Sequence, residues 1–200
     1  MVKAFLFDWG GVMSAGGRGG ELDARLAERL DMSPKDVWTV FRPAWEAYSR
    51  GKIDEPTLWR QLEAGYGQTI PETKRNIWNE WSNMSMLPQM QQLVTDLKTH
   101  GYTVGLLSNT IPNTAEDIRS HGGYDLFDFL VLSYEVGLAK PDEAIYKLAL
   151  EKLPGVKPSE VVFVDDQERC LEPARALGIR TVLSVTPEQV VADIRHFITL

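Results

Sequence analysis

Short apolar runs recur along this chain and are separated by segments of helical periodicity. The runs typical of buried strands lie at residues 3–8, 103–107, 129–133, 161–164 and 181–185. The helical segments beyond residue 87 lie at 90–100, 114–121, 142–152 and 171–177. Alternation of strands and helices is typical of a parallel sheet, because each connection between parallel strands has to cross back over the sheet. We therefore predict an α/β fold in which helices cover both faces of one parallel sheet.

A stretch without strand pattern interrupts this alternation after the first strand. Its apolar residues repeat at helical spacing in four groups: Leu22, Leu26 and Leu30; Val37, Phe41 and Trp45; Leu58 and Leu62; Ile77 and Trp81. A glycine-rich segment at 14–20 joins it to the first strand. We predict a small all-helical insertion over residues 15–84 and a core made of residues 1–14 and 85–200.

Side chains that can take part in catalysis or ligand binding follow three of the predicted strands. The residues in question are Asp8, then Ser108 and Asn109, then Asp165 and Asp166. Ligands of parallel sheets bind at the carboxyl ends of the strands, so these side chains are expected to meet at one edge. A carboxylate can attack phosphorus, paired carboxylates are the hard ligands that magnesium prefers, and hydroxyl and amide groups can bind phosphate oxygens. The bland alternative is that these residues only cap the helices that follow them.

Lys140 can supply the positive charge that such a site needs. It stands between a Gly-Leu-Ala segment and Pro141, in a turn that could carry the ammonium group inward to Asp8. The alternative is a solvated surface lysine, as most lysines are. Together, Lys140 and the residues at the three strand ends offer a nucleophile, a cation site and a set of hydrogen-bond donors. These are the parts that magnesium-dependent phosphoryl transfer requires.

Four short segments in a fixed order carry a resemblance to a known family. They read Phe-Asp-Trp-Gly-Gly-Val at 7–12, Leu-Ser-Asn-Thr at 107–110, Ala-Lys-Pro at 139–141 and Phe-Val-Asp-Asp at 163–166. Over essentially its whole length, the chain resembles hydrolases of the haloacid dehalogenase (HAD) superfamily. Within them it resembles the small sugar-phosphate phosphatases that are similar to the amino-terminal phosphatase domain of soluble epoxide hydrolase. The resemblance implies a HAD-like Rossmannoid core, a C1-type helical cap and Mg²⁺ as cofactor.

The resemblance also implies a role for each site residue. Asp8 would be the nucleophile, and Lys140 would stabilise charge during catalysis. The implied metal ligands are Asp8, Asp165, Asp166 and the backbone carbonyl of Gly10. The implied substrate-binding residues of the core are Gly11, Ser108 and Asn109.

Two positions depart from the family pattern. Most phosphatases of this superfamily carry a second aspartate two residues after the nucleophile, where this chain has Gly10. That aspartate protonates the leaving alcohol and later activates water, and a positioned acid or base is worth about 10²- to 10⁴-fold in rate. We therefore expect a slow enzyme or one that recruits another group. Cys170 stands where relatives often have asparagine, and it is expected to be a small buried residue.

Aromatic and basic residues of the insertion are the candidates for substrate recognition. Trp38, Arg42, Trp45 and Tyr48 cluster at helical spacing. Such a stripe can form the interior of the helical insertion. Alternatively, Arg42, Trp45 or Arg18 can contact a small phosphorylated metabolite such as a sugar phosphate.

Composition narrows the range of partners. The chain has 200 residues, a net charge of −7 and no basic run of the kind that binds nucleic acid, which argues against DNA or RNA. One cysteine excludes an intrachain disulfide, and no apolar run is long enough to cross a bilayer. We expect a cytoplasmic protein with a small phosphate ester as its partner. The sequence leaves the oligomeric state open.

Three functions compete at this point. The favoured one is a magnesium-dependent phosphatase. Haloacid dehalogenation or phosphonoacetaldehyde hydrolysis would use the same fold, but the first needs no magnesium. The second needs a Schiff-base lysine from the insertion, where the lysines are Lys35, Lys52 and Lys74. A non-catalytic, metal-binding regulatory module is the third, and Gly10 is its support.

Overall fold

Five parallel strands form one sheet in the order β3-β2-β1-β4-β5. The computed structural model describes residues 1–16, 21–75 and 85–198, and for residues 21–23 and 38 it describes the backbone alone. The strands are β1 (Ala4–Phe7), β2 (Thr103–Ser108), β3 (Phe129–Leu132), β4 (Val161–Asp165) and β5 (Arg180–Leu183). The parallel α/β sheet predicted from the sequence pattern is confirmed.

The described α-helices complete the element order. They are α1 (Glu21–Leu30), α2 (Pro34–Asp36), α3 (Arg42–Ser49), α4 (Glu55–Tyr66), α5 (Glu72–Arg75), α6 (Pro88–Thr99), α7 (Pro112–Ser120), α8 (Ser133–Val136), α9 (Glu143–Glu151), α10 (Glu168–Ala176) and α11 (Pro187–Arg195). A π-helix (Val37–Phe41) runs directly into α3, and a 3₁₀ turn (Pro158–Glu160) precedes β4. No helix in the described ranges is both long enough and apolar enough to span a bilayer.

The central strand β1 organises the core. Its four residues are apolar and fully buried, as expected for a strand that is covered on both faces. Phe5 and Phe7 pack in one apolar cluster, whereas Ala4 and Leu6 pack in another. Successive side chains of a strand point to opposite faces, so the sheet is packed on both sides.

The helices between Glu21 and Arg75 have an apolar core of their own. Residues that the helical spacing singled out are buried in it: Leu26, Leu30, Val37, Phe41, Leu58 and Leu62. Ile111, which follows β2 in the α/β part, is buried in the same cluster and joins the two parts. Arg18, Ile77 and Trp81 lie outside the described residues. The boundaries between the core and the helical insertion, at residues 14 and 85, stay a prediction.

Several element ends differ from the sequence-based expectation. The helix expected at 114–121 begins at Pro112, because proline is well suited to the first helical position, where its missing N–H costs nothing. The strand expected to reach Ser133 ends at Leu132, and Ser133 begins α8 instead. That serine proves important for how the helical part packs on the core.

Candidate active site

Three neighbouring strands end at the same edge of the sheet in polar residues. Asp8 directly follows β1, whereas Ser108 and Asp165 are the last residues of β2 and β4. Their exposed fractions are 7 %, 3 % and 0 %. Burial of three polar side chains side by side is costly unless each finds a partner.

Lys140 provides two of those partnerships. Its Nζ lies 2.9 Å from Oδ1 of Asp8 and 2.6 Å from Oδ2 of Asp165. Asp166 completes the group, because one carboxylate oxygen each of Asp8, Asp165 and Asp166 lie within 4.8 Å of one another. We call Asp8, Lys140, Asp165 and Asp166 the charged cluster.

The charged cluster is rich in carboxylates. Three carboxylates lie beside one ammonium group within these four residues. Burial raises the pKa of Asp8 to about 6; Lys140 opposes this shift, while Asp165 and Asp166 add to it. For Lys140, burial disfavours the charge, but Asp165 and Asp8 raise its pKa above the ordinary value and keep it protonated. Carboxylate oxygens grouped in this way are the hard ligands that a divalent cation such as Mg²⁺ prefers.

Asn109 fixes the loop that carries Lys140. Its side-chain nitrogen donates to the carbonyl oxygen of Lys140, and its side-chain oxygen accepts from the Lys140 amide, both at 2.8 Å. The predicted substrate-binding residue therefore also holds the backbone of Lys140. The two residues are 31 positions apart, so no local sequence pattern could have indicated this pairing.

The turn after Asp8 depends on glycine at position 11. Gly11 has φ +69°, and a Cβ there would lie 2.6 Å from Oδ2 of Asp166, so a larger residue would displace that carboxylate. The Gly11 amide donates to the carbonyl oxygen of Gly16 at 3.0 Å, so this predicted substrate-binding residue already uses its N–H within the turn. Gly10 pairs with Ser14 in an isolated bridge and brings no side chain to the site.

Ser184, which sequence reasoning missed, ties this turn to the sheet. It is 5 % exposed and directly follows β5. Its hydroxyl donates to the Gly11 carbonyl and its amide donates to the Asp165 carbonyl, both at 2.9 Å. The backbones of Gly11 and Asp165 are thereby both held to Ser184.

Cys170 is a buried neighbour of the charged cluster. It is 2 % exposed, and burial raises the pKa of its thiol to about 12. The Tyr146 hydroxyl donates to the Cys170 carbonyl oxygen at 2.6 Å. A thiol with such a pKa is uncharged at neutral pH and is a poor nucleophile or metal ligand.

Three of the candidates for substrate recognition, Arg42, Trp45 and Tyr48, lie on α3. Trp45 is half-buried; its ring stacks on Phe41 with 5.4 Å between centroids and meets Tyr48 edge-on at 6.3 Å. Arg42 begins α3 and is also half-buried. Trp45 thus packs against the apolar cluster of the helical part. One of the two interpretations of the aromatic stripe predicted such packing.

Comparison with known proteins gives a consistent picture. The sequence profile of the haloacid dehalogenase-like hydrolase family matches residues 2–178. Bifunctional epoxide hydrolase 2 of Sus scrofa is 40 % identical over 106 residues, which are 48 % of this chain and 18 % of that protein. Sesquiterpene phosphatase astK of Aspergillus oryzae is 27 % identical over 179 residues, which cover 88 % of this chain and 87 % of that one.

A solved structure agrees with these sequence matches. A HAD family enzyme from Bacteroides thetaiotaomicron, determined as a magnesium complex, superposes with a TM-score of 0.73 at 25 % identity. The superposition covers 91 % of this chain and 92 % of that one. The resemblance inferred from the four short segments is confirmed.

Proposed function

The chain belongs to the haloacid dehalogenase-like hydrolase family, and on that premise we propose that it is a magnesium-dependent phosphatase acting on a small phosphate ester. The observation that carries the proposal is the charged cluster at the carboxyl ends of β1 and β4. It offers a buried carboxylate nucleophile, a fixed ammonium group and three carboxylates close enough to hold one metal ion.

Asp8 is the proposed nucleophile. Its Oδ1 accepts hydrogen bonds from the Trp9 amide at 2.7 Å and from Lys140 at 2.9 Å, which leaves Oδ2 for in-line attack. Attack forms a bond between Oδ2 and phosphorus while the bond to the ester oxygen breaks, and the leaving alkoxide takes a proton from water. A second water then attacks phosphorus and the bond between Oδ2 and phosphorus breaks, which releases inorganic phosphate and frees Asp8. The proton that this water loses neutralises the hydroxide left by the first step.

The other residues hold the phosphoryl group and the metal. Lys140 keeps its proton and balances charge next to Asp8, and the Ser108 hydroxyl donates to a phosphoryl oxygen. The proposed magnesium ligands are Asp8, Asp165, Asp166 and the Gly10 carbonyl. The grouped carboxylate oxygens of the cluster fit this cation, which would neutralise charge on the phosphoryl group.

Gly10 makes the rate dependent on the leaving group. No carboxyl group stands two residues after Asp8, and in the described parts of the chain the cluster has no fourth acidic, histidine or cysteine ligand. Within the described cluster, therefore, no carboxyl apart from the proposed nucleophile and metal ligands is available to protonate the departing alkoxide. Esters of acidic alcohols or phenols are expected to turn over faster than alkyl esters.

The helical part, residues 15–84, is proposed to act as a cap that covers the site. Arg42, Trp45 and Arg18 are its proposed substrate contacts, and a sugar phosphate or similar metabolite is the proposed substrate class. The lysines of this part argue against a Schiff-base hydrolase. Lys74 pairs with Asp31, and Lys35 and Lys52 are exposed.

Phosphate release from a panel of sugar phosphates and aryl phosphates, with Mg²⁺ and with chelator, tests the proposal. Release that requires Mg²⁺ and differs among esters would support it and identify the substrate class. Release from no ester would overturn the phosphatase function and favour the non-catalytic module.

Replacement of Asp166 by alanine is expected to raise the Mg²⁺ concentration for half-maximal activity by at least about tenfold, because loss even of a residue that only supports a ligand weakens metal binding by about 10- to 100-fold. A magnesium titration of activity measures this. Glu168→Ala is a suitable control, since Glu168 is exposed and pairs with Arg175. An unchanged requirement in Asp166→Ala would move the metal site elsewhere.

The affinity for Mg²⁺ is expected to fall by about tenfold per pH unit below about pH 6. Protons and the cation compete for Asp8, whose pKa in the metal-free protein is raised to about 6. Above pH 6 the carboxylate is ionised and the affinity should level off. Calorimetric titration between pH 5 and pH 8 tests this, and Asp8→Asn should flatten the profile.

A further inference from the structure

Four consecutive residues of the helical part contact the core, and we call residues 48–51 the docking turn. The Tyr48 hydroxyl donates to the side-chain oxygen of Asn113. The Ser49 carbonyl accepts from the Ser133 hydroxyl at 2.6 Å. Arg50 pairs with Asp142 at 2.6 Å. Gly51 packs against the carbonyl oxygen of Tyr134.

Gly51 allows the closest of these approaches. It has φ +63°, and a Cβ at this position would overlap the Tyr134 carbonyl oxygen. The atom that obstructs is a backbone oxygen, which cannot swing aside as the end of a side chain can. Any residue larger than glycine therefore has to lift the docking turn from the core.

Ser133 links the docking turn to the segment that carries Ser108. This serine is fully buried, and its hydroxyl oxygen also accepts from the amide of Thr110 at 2.9 Å. Thr110 is two residues beyond Ser108. A shift of the docking turn would therefore be transmitted to the strand end that supplies the Ser108 hydroxyl.

Arg50 links the docking turn to the segment that carries Lys140. Its partner Asp142 is two residues beyond Lys140, in the loop that Asn109 clamps from the other side. Both segments that supply donors to the charged cluster and its phosphate site are thus touched by one turn of the helical part.

We propose that the docking turn is a positioning element which holds the segments of Ser108 and Lys140 in the geometry that phosphoryl transfer requires. The inference rests on the proposed phosphatase function. The burial of Ile111 in the apolar cluster of the helical part also joins that part to the core. The docking turn adds contacts at particular backbone atoms, which fix orientation, and misplacement of catalytic groups by about 1 Å can cost about 10²-fold in rate.

Two glycine variants separate positioning from general stability. Gly51 and Gly67 both follow a helix of the same part and both have positive φ, +63° and +74°. A Cβ at Gly67 meets nothing within 4 Å, whereas one at Gly51 meets the core. Gly51→Ala and Gly67→Ala therefore share the backbone strain and differ in the contact with Tyr134.

We expect kcat of Gly51→Ala for an aryl phosphate to fall by about 10- to 100-fold. Its inhibition constant for inorganic phosphate should rise, because Ser108 and Lys140 bind that anion. Gly67→Ala should stay within about twofold of wild type in both constants, while its melting temperature falls because of the backbone strain alone. Equal kinetic constants in the two variants would overturn the positioning role and leave the phosphatase function intact. An inactive wild type would overturn both.

A second pair of variants covers the case in which Gly51→Ala does not fold. Ser133→Ala removes the hydroxyl that joins Ser49 to Thr110 and should lower kcat by about tenfold. Ser49→Ala is the matched control, because the Ser49 hydroxyl bonds within α3, to the Glu46 carbonyl, and its own carbonyl is retained. If neither variant lost activity, the proposal would be contradicted.

Discussion

Asp8→Asn is expected to reduce metal-dependent phosphate release by about 10⁴-fold or more, because an amide oxygen cannot replace the attacking carboxylate. Asparagine has nearly the shape of aspartate, and its Oδ1 can still accept from the Trp9 amide. The fold should therefore persist. A discontinuous assay of phosphate release over hours measures the residual rate, and stoichiometric labelling with a slow substrate tests for phosphate on Asp8 of the wild type.

The stability of Asp8→Asn provides the control. Burial raises the pKa of Asp8 to about 6, above its ordinary value of 3.8. Above about pH 6 the ionised carboxylate therefore lowers the free energy of unfolding of the wild type. This loss of stability disappears as the pH falls toward 4. In chelator at pH 7, the free energy of unfolding of Asp8→Asn should not fall below that of wild type. Full turnover by a folded Asp8→Asn protein would refute Asp8 as nucleophile.

Lys140→Met is expected to lower the free energy of unfolding by about 3–5 kcal/mol at pH 7.5 in chelator, because two buried carboxylates lose their counter-charge. Asp8 and Asp165 both bond the Lys140 ammonium, whose side chain is 2 % exposed. Without it the pKa of Asp8 should rise further, because Lys140 lowers that pKa in the wild type. The loss should then shrink toward pH 5, where Asp8 takes up a proton in the folded state. Urea unfolding at both pH values measures the difference.

Lys147→Met is the matched control for this lysine. Lys147 pairs with Glu143 one helical turn away, and both side chains are more than half exposed, so the change should cost less than about 1 kcal/mol at either pH. Phosphate release should fall with Lys140→Met and not with Lys147→Met. A Lys140→Met protein as stable as wild type at pH 7.5 would show that the cluster does not depend on that ammonium group.

The meeting of Asp8, Ser108 and Asp165 could be predicted from the sequence because it follows from topology. Each residue ends an apolar run, parallel strands place their carboxyl ends at one edge, and the runs themselves are recognisable. Leu26, Phe41 and Leu62 could be assigned to the interior of the helical part for a similar reason, since helical spacing is a local property.

The contacts that fix the site could not be predicted in this way. Asn109 bonds Lys140 across 31 residues, Ser133 bonds Ser49 across 84, and Ser184 bonds Gly11 across 173. Serine and asparagine are common in loops, where they bond their own backbone, so their residue types do not indicate a distant partner. Which hydroxyl reaches which carbonyl depends on the relative placement of whole elements.

The hydrogen bond from Ser184 to Gly11 limits how far this chain can be shortened from its carboxyl end. The family match ends at Gly178, yet β5 and Ser184 lie beyond it. A chain cut after Gly178 would keep every residue of the charged cluster but would expose β4 as a sheet edge and free the carbonyls of Gly11 and Asp165. The smallest piece that carries all the recognisable motifs is thus smaller than the smallest piece in which the turn behind the nucleophile is held in place.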